Sequence, residues 1–328
     1  MLRPMSRLLA IALLGLPISS WALEPEVQAA KNEGMRLYNI GHSTAALPYL
    51  QQAAEAGDVD AMYYMGEAER RQHMLGLTRA AMAWYLQAAE QGDVHAMLQL
   101  FRGGACTAGD RCPEGYEDWH HAALAVAQPK AEAGDPNAML LMFDIYRMFD
   151  QSRRAGEWLE RAAEAGQPEA QTILGGRILD GRGWYLTNDR RLQAAKQWFR
   201  RAAEQGYVPA MERLSRVLGD LEVYDEAWSW VKEGSNNGSY DARLGIAMCY
   251  LEPEDDPVYS CEEDVIEGWA VLHAIDIETQ GAGQIRGAKR LFRDLLTDDQ
   301  VKQAEALAEE KWVGREPPLS HFPPRFGY

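Results

Sequence analysis

Four cysteines, seven histidines and one dense acidic run are the residues whose types and spacing could do chemistry in this chain. Cys106 and Cys112, and Cys249 and Cys261, fall as two close pairs. Four cysteines allow three pairings, and in an oxidising compartment proximity favours disulfides Cys106–Cys112 and Cys249–Cys261. A zinc site would call for paired C-x-x-C spacing, which does not occur. The histidines are scattered, and no H-E-x-x-H, G-x-S-x-G or phosphate-loop pattern is present. His120 and His121 would point about 100° apart on a helix, poorly placed for one metal, while Glu117 and His121 could share a face as solvated helix pairs do. Glu252, Glu254, Asp255 and Asp256 between Cys249 and Cys261, and Glu262, Glu263 and Asp264 just after, crowd this loop. Such oxygens could hold calcium, but the EF-hand spacing and its central glycine are missing. The alternatives are a solvated acidic loop and a docking site for a basic partner through Asp255, Asp256, Glu262 and Glu263. With no nucleophile, acid–base pair or cofactor loop on offer, the chain reads as a binding protein, not an enzyme, with neither cofactor nor metal.

The N-terminal residues set the expected compartment. Arg3 and Arg7 precede an apolar run from Leu8 to Ile18 that is too short to span a bilayer, and Ser20-Trp21-Ala22 places small residues at both cleavage-determining positions. This predicts a signal peptide, residues 1–22, cut after Ala22, and a periplasmic protein if the source is Gram-negative. No later stretch is long and apolar enough to hold the chain in a membrane. The 33 Lys and Arg against 49 Asp and Glu give a net charge of −16, which becomes −18 once Arg3 and Arg7 are removed. Nucleic acid would be repelled, and a basic protein surface is the natural partner.

Self-similarity then organises the chain. Ala53-Ala54-Glu55-Ala56-Gly57 recurs as variants ending at Gly92, Gly134, Gly166 and Gly206, with a weak echo at Gly238. The glycines lie 35, 42, 32, 40 and 32 residues apart, a period that belongs to two-helix repeats. Eight residues before the glycine stands an aromatic in most copies, as in Tyr49, Trp84, Trp158, Trp198 and Trp230, expected to fill the space between repeats. Four residues after it stands an alanine, as in Ala61, Ala96, Ala138, Ala170, Ala210 and Ala242, opening the next helix.

Leu174-Gly175, Asp180-Gly181-Arg182-Gly183, Asp189, Ala194-Ala195, Trp198, Ala202-Ala203, Gly206 and Ala210 together resemble one full Sel-like repeat of the tetratricopeptide-like family. The resemblance covers about residues 30–250. It implies an all-α, right-handed α-solenoid with repeats at roughly 30–57, 58–92, 93–134, 135–166, 167–206 and 207–238, and a degenerate one at 239–281. Thr297-Asp298-Asp299-Gln300 is a capping-box start for a helix through Trp312, predicting a cap over 284–312. Pro317, Pro318, Pro323 and Pro324 then forbid a regular helix, so residues 313–328 form an extended tail. Its aromatics, Phe322, Phe326 and Tyr328, either pack back on the cap or reach a partner.

The resemblance also implies that the helix opening each repeat lines a concave face. If Ala61, Met65 and Ala68 form the core stripe of the first such helix, the 3.6 period turns Tyr63, Tyr64 and Glu67 away from it. The same offsets select Leu98, Gln99 and Arg102, then Leu140, Leu141 and Asp144. These nine residues are the expected partner site, unless their apolar members pack inside the groove instead. Within the family, the size, acidity and export of this chain resemble periplasmic immunity proteins that bind and block phospholipase D-type effectors of type VI secretion. A scaffold for a cell-envelope or exopolysaccharide assembly is the alternative.

Overall fold

Each repeat ends where a glycine takes a backbone conformation that other residues avoid. Gly57, at φ 96°, donates to the Ala54 carbonyl at 3.0 Å, and the next amide, Asp58, reaches back to Ala53 at 3.1 Å. This closes the carbonyl end of one helix. The Asp58 carboxylate then accepts from the Ala61 amide at 2.7 Å and starts the next helix. Asp93 does the same for Ala96 after Gly92. The alanine four residues after each glycine is therefore the third residue of a helix, capped by a side chain in every copy but that of Ala210. It is buried in every copy because the helices cross there.

The structure, a computed structural model, describes residues 23–73, 77–107, 111–252, 258 and 261–326. The expected leader, Asp255, Asp256 and Tyr328 lie outside these residues. Among the described residues sixteen α-helices follow one another: α1 Pro25–Asn39, α2 Ser43–Glu55, α3 Val59–Gln72, α4 Arg79–Glu90, α5 Val94–Arg102, α6 Trp119–Glu132, α7 Pro136–Met148, α8 Ser152–Glu164, α9 Pro168–Leu179, α10 Asn188–Ala203, α11 Val208–Asp220, α12 Tyr224–Asn236, α13 Tyr240–Leu251, α14 Val265–Glu278, α15 Gly283–Phe292 and α16 Asp298–Lys311. Successive helices pack on one another along the chain, an α-solenoid with no named strand among the described residues. None of these helices is long and apolar enough to cross a membrane.

Within a repeat the two helices approach closely because the first carries a glycine opposite a large residue of the second. A Cβ on Gly66 would lie 2.5 Å from the Tyr85 ring, and one on Gly175 would lie 2.8 Å from Phe199. The register of the aromatic filling differs from expectation by one residue. Leu50, Tyr85, Leu159 and Phe199, one place after the repeated aromatic, are the fully buried groups. Tyr49 is exposed, and Trp158 and Trp198 are half-buried beneath the guanidinium groups of Arg161 and Arg201 at 3.8 and 4.8 Å.

Both disulfides pair as expected, with Cα atoms 4.6 Å apart for Cys106–Cys112 and 6.2 Å apart for Cys249–Cys261. At the C-terminus, Thr297 and Gln300 form the expected capping box, and α16 packs on α14. Arg315 at the start of the tail packs on the Trp312 ring at 4.1 Å, but the tail aromatics Phe322 and Phe326 pack elsewhere. Ser320 donates to the Gly238 carbonyl at 2.9 Å and accepts from the Tyr240 amide at 3.1 Å, and His321 donates to the Asn39 carbonyl at 3.0 Å. From there the chain runs into the concave side of α3 and α5, with Leu319 and Phe326 buried in the main core.

Candidate protein-binding groove

The groove is built where α3, α5, α7 and α9 begin side by side. Asp60 stands in the first turn of α3, Asp93 caps α5, and Leu140, Leu141 and Asp144 come from α7. Arg325 of the tail lies between the first two repeats of this wall. Its guanidinium donates to Asp60 Oδ1 at 2.7 Å and to Asp93 Oδ2 at 2.6 Å. It also lies 4.9 Å from the Tyr63 ring centre and 5.6 Å from that of Tyr64. The Arg325 carbonyl accepts from the Tyr63 hydroxyl. Two carboxylates on different edges and two ring faces satisfy a planar guanidinium in a way that a lysine ammonium would not match.

The electrostatics follow from this packing. Burial pushes the Asp60 carboxyl up, but Arg325, followed by Lys31, more than reverses this and holds it below the usual range. Burial opposes the charge on Arg325, yet Asp93 and Asp60 hold its pKa above the ordinary arginine value. Burial raises the Tyr63 and Tyr64 hydroxyls. An aromatic path runs from Tyr38 through Tyr64, Tyr63 and His95 to Phe326, with neighbouring ring centres 5.0, 5.4, 6.1 and 5.5 Å apart. Beside Phe326 the groove continues as a hollow of about 420 Å³, walled by Val126, Leu140, Leu141, Asp144 and Glu169. Burial, then Asp144, pushes the Glu169 carboxyl up.

Of the nine residues expected to form the partner face, several prove to be core. Tyr63, Glu67, Leu98 and Gln99 are buried, Leu140 and Asp144 nearly so, Tyr64 and Leu141 half-buried, and Arg102 exposed. The reading that Tyr63, Glu67, Leu98 and Gln99 face away from the core is therefore corrected. A helix inside a superhelix has neighbours on several sides, and here the tail covers the remaining one. Glu67 Oε1 accepts from the Tyr85 hydroxyl and from Gln99 Nε2, each at 2.6 Å, and its Oε2 accepts from Arg70 at 2.8 Å. That network ties α3 to α4 and α5 and turns the Glu67 carboxylate inward, away from a partner. The helical offsets that select Tyr63 and Leu98 also select Asp60 and His95, but sequence reasoning missed Asp93 and Arg325, although a Gly-Asp step stands before α3, α5 and α7.

Elsewhere, Glu262 and Glu263 are exposed beside the Cys249–Cys261 bridge. Asp118, His120 and His121 bring one ligand atom each within 4.8 Å of one another, closer than the helical spacing of the two histidines suggested. The cause is Asp118, which caps α6 and folds back onto the His121 ring at 2.8 Å. His120 is sealed in the core with its Nε2 3.1 Å from the Ile145 carbonyl oxygen.

The model of the Sel1 repeat matches residues 44–58, 59–93, 150–167 and 168–207, which include α3 and α9 of the groove. These stretches are Sel1 repeats. Such repeats build a protein-binding fold, and Sel1-repeat solenoids are generally interaction scaffolds. No curated protein matches the chain. Among solved structures it is similar to a protective antigen with an SLR fold from uropathogenic Escherichia coli, at 20% identity and a TM-score of 0.47, over 87% of this chain and 61% of that one. The chain thus spans about three fifths of that protein's length. It is also similar to a Sel1 repeat protein from Oxalobacter formigenes, at 21% identity and a TM-score of 0.39, over 78% of this chain and 98% of that one. A third likeness is to an immunity protein from Pseudomonas aeruginosa, at 20% identity and a TM-score of 0.44, over 70% and 82% of the two chains.

Proposed function

We propose that this protein acts in the periplasm as an immunity protein, seating a secreted effector of the phospholipase type against its concave face and blocking the effector's active site. The observation that carries this reading is the seat around Arg325: a concave, acidic and aromatic surface that already holds a cation from a protein chain. The charge of −16 makes a basic partner the natural one, and it would speed encounter with one. Two disulfides fit an oxidising compartment, as does the leader pattern of the first 22 residues. The exposed acids Glu262 and Glu263, with Asp255 and Asp256, offer a second, weaker contact.

Titration of a candidate phospholipase with the purified chain tests this. Residual activity should fall linearly and vanish at a fixed molar ratio, and association should slow as salt is raised. Time-dependent loss of activity below that ratio would make the chain an enzyme and overturn the proposal. Recovery of polymer-export components in place of an effector, in a periplasmic pull-down, would assign it a scaffold's role.

A further inference from the structure

The Arg325 seat is larger than the tail that fills it, and the tail is held in two unequal parts. Leu319 to His321 are woven into the fold by backbone hydrogen bonds to Gly238, Tyr240 and Asn39, and Leu319 is buried. A Cβ on Gly238 would lie 2.6 Å from the Pro318 carbonyl oxygen, so the strand of tail there is pressed against the turn. Beyond it, Phe322 takes a left-handed backbone at φ 46°, a conformation costly for a bulky residue. Then come two prolines, followed by Arg325 and Phe326. The last four described residues form a plug, joined to a firm anchor through a strained turn.

What the plug meets is a recognition pattern. Arg325 is read by two carboxylates and two ring faces, and its carbonyl by a hydroxyl. Phe326 lies 5.5 Å from His95, with the Arg102 guanidinium 5.7 Å from its ring. The hollow beyond Phe326 is unfilled by the tail, and its walls mix apolar side chains with Asp144 and Glu169. A seat serving only to lock the tail would have no need of this extension.

We propose that the groove recognises an arginine–aromatic segment of a protein partner, and that the chain's own Arg325 and Phe326 occupy the site in cis until that segment displaces them. This rests on the protein-binding reading above and names the chemistry of the contact. An intramolecular plug on so short a connection competes at a high effective concentration, which the partner's segment must exceed. The partner's segment prevails by using the hollow as well as the seat, and the anchor at Leu319 to His321 stays in place.

The test uses the full chain and a fluorescent peptide, Pro-Pro-Arg-Phe-Gly-Tyr, together with peptides carrying Arg-Tyr or Arg-Trp in unrelated flanks. With Arg325→Ser and Phe326→Ser combined to vacate the seat, all three should bind at least tenfold more tightly than they bind the unaltered chain. Changing the peptide arginine to lysine should cost tenfold or more, and adding Asp60→Asn and Asp93→Asn should abolish capture. Asparagine keeps the helix cap at position 93. Equal affinity for vacated and unaltered chains, or binding of the self peptide alone, overturns the proposal. Should the vacated variant fail to fold, hydrogen exchange of the unaltered chain decides. Saturating Arg-Trp peptide should deprotect Arg325 and Phe326 but not Ser320, and unchanged protection overturns the proposal. Effector inhibition that survives Asp60→Asn with Asp93→Asn would leave the immunity reading standing and remove this one. Peptide capture without effector inhibition would do the reverse.

Discussion

Arg36, in the first helix, donates from Nη1 to the backbone carbonyl of Glu278 at the end of α14, 3.0 Å away and 242 residues along the chain. Through this contact the solenoid closes on itself. The Glu278 side chain completes the joint, accepting from the Gly314 amide at 3.1 Å and from the wholly buried Arg243 at 3.4 Å. Removing the carboxylate with Glu278→Ala strands Arg243 without its counter-charge, which should cost about 3 kcal/mol in urea unfolding. Replacing both partners with apolar groups, Arg243→Met and Glu278→Leu, should cost less than the single change. A double variant weaker than Glu278→Ala would show that the ion pair itself holds the closure.

A second prediction separates two glycines that look alike in the sequence. Gly66→Ala drives a methyl to within 2.5 Å of the Tyr85 ring, whose hydroxyl is fixed by Glu67, so the helices must part. The expected loss is about 1–3 kcal/mol. Gly176→Ala meets nothing within 4 Å and removes backbone freedom from the unfolded chain, so it should stabilise by about 0.5–1 kcal/mol. Chemical denaturation of the two variants reads both signs.

The repeat was legible because its constraints are local. A glycine that must turn left-handed, an acid that caps the next helix and an alanine where helices cross all lie within five residues, as at Gly57, Asp58 and Ala61. The short disulfide loops were legible for the same reason. Tyr63 and Leu98 were misplaced because a helical wheel assigns one buried face, whereas α3 and α5 have neighbours on several sides. The Arg325 seat was beyond reach: it joins Asp60 to a residue 265 positions away, and no local pattern encodes where the tail comes to rest. Tyr49 and Trp158 show the finer limit, since a shift of one residue exchanges the core position with a half-exposed one.

Reduction should loosen the chain at two defined places. Cys106–Cys112 closes a loop of sequence separation 6, and Cys249–Cys261 one of 12. The chain-entropy argument gives roughly 2–3 kcal/mol for each. Paired serine substitution at Cys249 and Cys261 should lower the melting temperature and raise exchange at the start of α14, where the Asp264 amide is tied to the Tyr250 carbonyl at 3.0 Å. Melting unchanged by reductant would show that the packing of α13 on α14 suffices alone.

Acid should weaken the fold through His120. This ring lies wholly inside the core, 5.3 Å from Phe101, and burial pushes its pKa down from 6.5 to about 4, while the bond to Ile145 and the Asp118 charge only partly oppose the shift. Between these two values the unfolded chain takes up a proton that the folded chain refuses. The stability tied to a neutral His120 is therefore complete above pH 6.5, is lost as the pH falls to about 4, and changes no further below that. The full effect is on the order of 3 kcal/mol, of which about 2 kcal/mol falls between pH 7.5 and 5. Burial lowers His273 and His321 too, so they act in the same direction. The measurement is urea unfolding at pH 7.5 and 5 for the unaltered chain and for His120→Asn, which keeps a donor for the Ile145 carbonyl but cannot titrate. The variant should be weaker at pH 7.5 yet lose about 2 kcal/mol less on acidification. An equal loss in both proteins would place the acid sensitivity elsewhere in the core.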